Sequence, residues 1–567
     1  MNRMQQLEVM SRRPEVSVLI IGGGINGVGL LRELALQGVD TLLVEKSDFC
    51  SGASSASTRV IHGGLRYLEN GEFRLVKESL LERNRLLKNA PHYVRPLPTT
   101  IPIFHWTAGL LSALGKLLGF RVTPHEKGAL LFKIGLSFYD QFAGRYNPLP
   151  RNRFSSRRAS LAFRPQLHEA IVCTATYYDA CISYPERLGL ELALDAERHC
   201  SDVQALNYVR ANRTDGDAVI LEDEVSGQSF RIKPKLVINA SGAWIDSTNH
   251  ALQRETQYIG GTKGSHIVID HPELVHATQG QMLYFANADG RICIFYPVYG
   301  KVIAGSTDIP VSDPETRICD EDEVDYILES IRRVFPAIRL DRSHIIYRFC
   351  GVRPLPHSNS FTPGDISRDH ICAILPAGNG FSFPIYSLIG GKWTTFRAFG
   401  EQVADRILAH LGRPRRAKSE DMPIGGGRNY PQSAAEKREW LASLNERYGL
   451  PMERLAILLD RYGARARDVA EFICTASDEP LRALPEYSRR EILFMAVQEK
   501  IVHMDDLILR RTMMALLGKL SFDLLVELEG LLASVLDWPE ARTHREIADT
   551  VRLVEKFHGV RLAEAQR

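Results

Sequence analysis

The chain lacks any run of about 18 consecutive apolar residues, so no segment has the composition of a bilayer-spanning helix. It also has almost no net charge: 70 Lys and Arg against 68 Asp and Glu leave a formal +2. Global charge therefore gives nucleic acid no reason to bind, and any basic site has to be local. The nine cysteines form no CxxC pair and no metal-ligand spacing, which points to free thiols rather than a disulfide framework or a zinc site. A GxSxG elbow, an HExxH helix and an EF-hand loop are all missing, and nothing in the sequence calls for a metal. The opening residues, MNRMQQLEVMSRRPEV, have no apolar stretch of the signal-peptide kind, so the cytoplasm is the expected location.

What is present is ordinary globular composition, 44% hydrophobic and 24% charged over 567 residues, with ample chain to enclose a cofactor. After a polar tail (residues 1–15), residues 16–21 (VSVLII) read as a buried parallel strand. A glycine cluster follows, then a helix over 26–37 and a second strand at 41–44 (TLLV) that ends at Glu45. Residues 236–240 (LVINA) predict another buried strand running into a glycine turn, and 291–297 and 301–304 alternate as half-buried strands do. The expected fold is α/β: a Rossmann-like nucleotide-binding domain interleaved with an α+β sheet domain for substrate (16–412). A linker rich in charge, Gly and Pro (413–431) and a helical C-terminal domain (432–567) complete it.

Gly22-Gly23-Gly24-Ile25-Asn26-Gly27 fits GxGxxG. Gly22 permits the tight turn, Gly24 lets backbone approach a pyrophosphate, and Gly27 lets helix and strand pack closely. The helix N-terminus offers its dipole and free N–H groups to the anion. Glu45 stands where a carboxylate accepts hydrogen bonds from an adenosine ribose. The fingerprint does not distinguish FAD from NAD.

Further segments do: SGASSASTRVIHGGLRYLE (51–69), NASGAW (239–244), KGSHIV (263–268), CGVRPL (350–355) and GGKWTTFR (390–397). Together with IGGGINGVG, in this order, they make the chain resemble the FAD-dependent glycerol-3-phosphate dehydrogenase family from about residue 16 to 397. The resemblance implies bound FAD, oxidation of sn-glycerol 3-phosphate or another polyol phosphate, and electron delivery to quinone at a membrane surface. Oxygen is the acceptor in a related oxidase branch. It also implies peripheral contact with the inner face of the cytoplasmic membrane, and a homodimer. A flavin-dependent amine or amino-acid oxidase is the alternative outside this chemistry.

A phosphate dianion needs cations and donors, and Arg66, Arg353 and Lys392, with the Tyr67 hydroxyl, lie in matching motifs. Lys392 has a second possible place beside the flavin. Removing the hydroxyl proton during hydride transfer calls for a base. His62 (in IHGG) is the expected one, with His266 (in KGSH) orienting substrate and Arg353 stabilising the developing alkoxide. The resemblance has Ser54, Ser55 and Ser57 wrapping the FAD, although such runs are often plain turns. Gly242 allows close backbone approach, and Thr394 and Thr395 donate toward the flavin or cap a helix.

Two positions depart from the family pattern. Arg59 stands where lysine is common, and Ser183-Tyr184-Pro185-Glu186 replaces an expected pair of acids before the arginine. Both leave room for a longer polyol phosphate. Trp106, Leu110, Leu114, Leu117 and Leu118, flanked by Lys116 and Arg121, recur at helical spacing as a candidate interfacial stripe. The pair Arg510-Arg511 reads as a solvated face.

Overall fold

The run VSVLII has no polar face to offer water, and it becomes the centre of a mixed sheet covered on both sides. A computed structural model of the chain describes residues 3–65, 67, 71–108, 128–144, 147–287, 289–357, 369–378 and 380–562. In it, strand Glu15–Ile21 pairs in parallel with Thr41–Val44 on one side and Ser229–Asn239 on the other. Val203–Leu206 and Ile385–Ile389 extend the parallel order outward, and Ile371–Leu375 closes one edge antiparallel. Helix Ile25–Leu36 packs between helices Pro185–His199 and Phe396–His410. It is apolar nearly all round because it is buried nearly all round.

A second, largely antiparallel sheet carries the substrate side. Its central ladder is Thr262–Ile269, flanked by Lys301–Gly305 and Ile345–Arg353, with His266 opposite both Gly305 and Phe349. Strands Val94–Ile103 and Cys173–Ile182 continue it toward the short strand Val60–Ile61. Helix Glu321–Val334, with a capping box at Asp320, buries Val324, Ile327 and Ile331 against this sheet.

The C-terminal part is helical, as expected, including Arg489–Gln498, Phe522–Leu536 and Glu540–His558 around a core of its own. Three readings need correction. The polar tail is a helix, Arg3–Arg12, whose Leu7 and Met10 are buried and whose Arg3 pairs with Asp223. The linker is no loose tether: Ile424 joins the main core, and the Gly425 N–H donates to Asp195 and the Gly426 N–H to Glu191. Its glycines serve close packing, Gly425 against Glu191, Gly426 against the Tyr462 carbonyl and Gly427 against the Asn89 carbonyl.

The third correction concerns Arg510 and Arg511. Both are buried and converge on the buried Asp48 at 2.6 Å. Burial by itself raises the Asp48 carboxyl, but the two guanidiniums hold it well below the usual carboxylate range. A second buried pair, Arg187 with Glu499 at 2.7 Å, joins the same domains. The charges that looked like surface are the seam between the helical domain and the nucleotide unit.

Candidate active site

The turn between strand Glu15–Ile21 and helix Ile25–Leu36 is built as the glycine spacing requires. Gly22 has φ +114°, and a Cβ there would lie 2.6 Å from the Ala240 backbone. A Cβ on Gly27 would lie 1.9 Å from the Gly22 carbonyl oxygen, so helix and turn could not meet. At Gly24 the nearest atom is Ser54 Oγ at 3.4 Å. That glycine instead lines a cavity of about 1650 Å³, well beyond the roughly 300–1,000 Å³ of a single-ligand pocket.

Glu45 follows strand Thr41–Val44 and lines the same cavity. Its carboxylate accepts from the Gly23 N–H at 2.7 Å and the Ser47 N–H at 2.9 Å. Burial pushes it above the ordinary range although both N–H groups oppose this. A carboxylate offers about four acceptor sites, which leaves capacity for a ribose diol. Ser54 accepts from the Ile25 N–H at 3.0 Å and so caps the helix start. Ser54, Ser57, Gly242 and Thr394 line the cavity. Ser55 and Thr395 do not. The Ser55 hydroxyl donates back to Gly52 O at 3.0 Å, closing an ordinary turn, and Thr395 is buried just ahead of helix Phe396–His410.

The proposed chemical residues fall into two groups on this cavity. In the first, the rings of His62 and Tyr67 are 5.7 Å apart, and Lys392 Nζ lies 4.1 Å from the Tyr67 ring centre. Lys392 also donates to Ser79 Oγ at 3.0 Å, and Thr394 donates to His62 O at 3.4 Å. Arg66 lies outside the described residues.

In the second group, Arg353 crosses over Gly264, where a Cβ would meet its guanidinium at 2.1 Å. Arg353 pairs with Asp308 at 3.2 Å and donates to Ser306 Oγ at 3.0 Å. His266 is buried, stacked on Phe349 at 4.8 Å, with Nε2 3.1 Å from Thr58 Oγ1. Burial first, then the Arg353 charge, pushes its pKa down to about 3. His266 is therefore neutral throughout the physiological range.

Sequence reasoning missed the support under His62. Asp179 accepts from the Gly63 N–H at 2.9 Å, from the Tyr139 hydroxyl, and from Arg83 at 3.1 Å, all of it buried. The signal was present: a charged aspartate inside the strand run TATYYDACI has to be paired if the strand is buried. Trp393 was missed as well. Its indole N–H donates to Ser54 O at 2.9 Å and ties the segment 390–397 to the serine loop.

The two departures from the family pattern meet each other. Arg59 pairs with Glu186 at 3.1 Å and donates to Ser183 O at 2.7 Å, both side chains buried, and neither lines the cavity. They answer each other in the core, away from the cavity wall, so they give no ground for a longer substrate.

The profile of the FAD dependent oxidoreductase family matches residues 17–396, and that of the C-terminal domain of alpha-glycerophosphate oxidase matches residues 417–543. A glycerol-3-phosphate dehydrogenase from Synechocystis sp. is 34% identical over 95% of each chain. The chain belongs to the FAD-dependent glycerol-3-phosphate dehydrogenase family. The mitochondrial glycerol-3-phosphate dehydrogenase of Mus musculus is 29% identical over 98% of this chain and 75% of its own. The Bacillus halodurans glycerol-3-phosphate dehydrogenase complexed with FAD shares the fold, with a TM-score of 0.74 at 22% identity and 98% of this chain covered. As a member of this family the protein is an FAD-dependent oxidoreductase. The open face at Gly24, the helix N-terminus and Glu45 fit that cofactor's pyrophosphate and ribose.

Proposed function

We propose that the protein oxidises the secondary alcohol of sn-glycerol 3-phosphate to the ketone of dihydroxyacetone phosphate and passes the electrons to quinone. The observation that carries the substrate is Lys392. Among the described residues its ammonium has a hydroxyl and an aromatic face for neighbours rather than a carboxylate, whereas Arg353 is matched by Asp308. An uncompensated cation beside the His62 ring pair favours an anionic group on the ligand. An amino-acid oxidase would need a single carboxylate-binding arginine rather than a lysine of this kind beside a second cation on the same cavity.

Bound FAD supplies the acceptor for the hydride from C2. The protein's own part is to bind phosphate at Lys392 and to take the hydroxyl proton at His62. His266 is too weak a base for that proton and serves to orient substrate. Arg353 stabilises charge growing on the C2 oxygen. Asp179 keeps the His62–Gly63 backbone in place.

The acceptor reading rests on a surface. On helix Ala129–Ala143, Leu136 and Tyr139 face inward while Leu130, Ile134 and Phe138 are exposed at 46%, 46% and 50%. This i, i+4, i+8 row, with Lys133 beside it, is the pattern of a helix lying in a headgroup layer. Trp106 is 61% exposed nearby in sequence, and the remainder of the stripe read in the sequence (109–127) lies outside the described residues. No described helix is long and apolar enough to cross a membrane.

Anaerobic titration of the holoenzyme with sn-glycerol 3-phosphate tests the substrate: the flavin absorbance bleaches if the reading holds, and oxidised flavin at saturating substrate overturns it. Turnover with a soluble quinone, against peroxide formation in air, separates the acceptors.

A further inference from the structure

Segment 311–320 runs between two firmly held ends. Before it, Ile309–Pro310 pairs with Lys263 and Thr262, and after it Asp320 caps helix Glu321–Val334. The tip of the segment leaves the substrate sheet and touches the nucleotide unit. Glu315 Oε1 accepts from Trp244 Nε1 at 2.7 Å and from Lys46 Nζ at 3.4 Å, and Glu315 Oε2 accepts from Arg317 at 3.2 Å. Lys46 Nζ lies 4.3 Å from the Trp244 ring centre. All four side chains line the FAD cavity, and Lys46 directly follows the ribose carboxylate Glu45. Trp244 also covers Gly52 of the serine loop, where a Cβ would lie 3.3 Å from the indole.

We propose that this strap is a latch over the nucleotide end of the cavity, in which Glu315 and Trp244 govern how fast FAD leaves. The contacts tie the strap to the nucleotide unit through exposed residues that line the cavity, so FAD leaving by that end has to part them. They are also suited to parting. Glu315 and Lys46 are solvent-exposed, and exposed ion pairs are weak, in contrast with the buried Asp48 seam. Partial burial raises the Glu315 carboxyl, but the indole N–H, Arg317 and Lys46 outweigh it and hold the group below its ordinary range, so the latch stays charged at neutral pH. Arg317 further reaches Phe557, 5.7 Å from its ring centre, which brings the last helix of the C-terminal domain against the same strap.

The test is FAD release from the holoenzyme, followed as flavin fluorescence after rapid dilution, for wild type, Glu315→Gln and Trp244→Phe. The visible flavin spectrum of each starting sample reports occupancy separately, so a failure of FAD binding and a failure of the latch read differently. Removing the carboxylate charge or the indole N–H at an exposed site, worth up to about 1 kcal/mol, should quicken release about fivefold in either variant. Added salt should quicken wild-type release and leave Glu315→Gln unmoved. Release within twofold of wild type in both variants overturns the latch. So does a salt response retained in Glu315→Gln.

Discussion

Replacing His62 and His266 in turn by glutamine separates the base from the orienting residue. An imidazole with a pKa of about 3 is some three orders of magnitude weaker as a base than one near the ordinary 6.5. Removing it forfeits hydrogen bonding, worth about 1 kcal/mol or roughly fivefold in kcat/KM. Removing a working general base forfeits about 10²- to 10⁴-fold. The assay is kcat/KM for sn-glycerol 3-phosphate across pH 5 to 9 with a soluble acceptor. Wild type should lose activity on the acid side as the base is protonated. In His266→Gln that limb stays where it was, at a modestly lower plateau. In His62→Gln the rate falls by two to four orders of magnitude and the limb disappears. A limb that survives in His62→Gln and vanishes in His266→Gln would refute the assignment and the environment argument behind it.

Four other outcomes are expected. Lys392→Met should raise KM for the phosphate substrate by about 10- to 100-fold, the worth of a charged hydrogen bond, while the protein keeps its flavin; steady-state kinetics with an absorbance check decides this. Gly27→Ala should purify without FAD, since its Cβ would overlap the Gly22 carbonyl, and a normal visible spectrum contradicts that. Asp48→Asn takes the carboxylate from the buried Arg511, while Arg510 keeps Asp505 and Asp506, and should cost about 3–5 kcal/mol of stability in a urea titration. Finally, His558 stacks on Tyr347 at 4.5 Å and is pushed by burial down to about 4. The unfolded chain, with a pKa near 6.5, binds the proton more readily, so this site's stability contribution is intact above pH 6.5 and lost progressively down to about 4. The loss is about 2 kcal/mol by pH 5. Melting temperature against pH should fall less steeply in His558→Phe.

The Arg59 and Glu186 pair illustrates how a sequence can mislead about specificity. Each looked like a change in a functional motif, because motifs are read position by position and both positions fall inside one. Their 127-residue separation hides that one side chain answers the other. Serines 54, 55 and 57 make the same point at short range. All three are equivalent in the sequence, and only the backbone path sets Ser54 and Ser57 on the cavity wall and turns Ser55 back on Gly52.

The nucleotide unit was determined by the sequence itself. Its strand, turn, helix and terminal carboxylate span some thirty consecutive residues, and each step follows from local physics: an apolar run, glycines where no Cβ fits, and an acid at the strand end. The motif segments carrying His62, His266, Arg353 and Lys392 were visible through the family resemblance. The tertiary structure alone decided what those groups can do. It buried His266 beside Arg353 and so removed its basicity, set Lys392 over Tyr67, and put Asp179 under Gly63. It also brought Arg510 to Asp48 across 462 residues and turned an apparent surface into a seam. Turn and strand formation are properties of neighbours along the chain. The pKa of an imidazole or the partner of a charge depends on the dielectric and the ions around it, and those are supplied by segments far away in sequence.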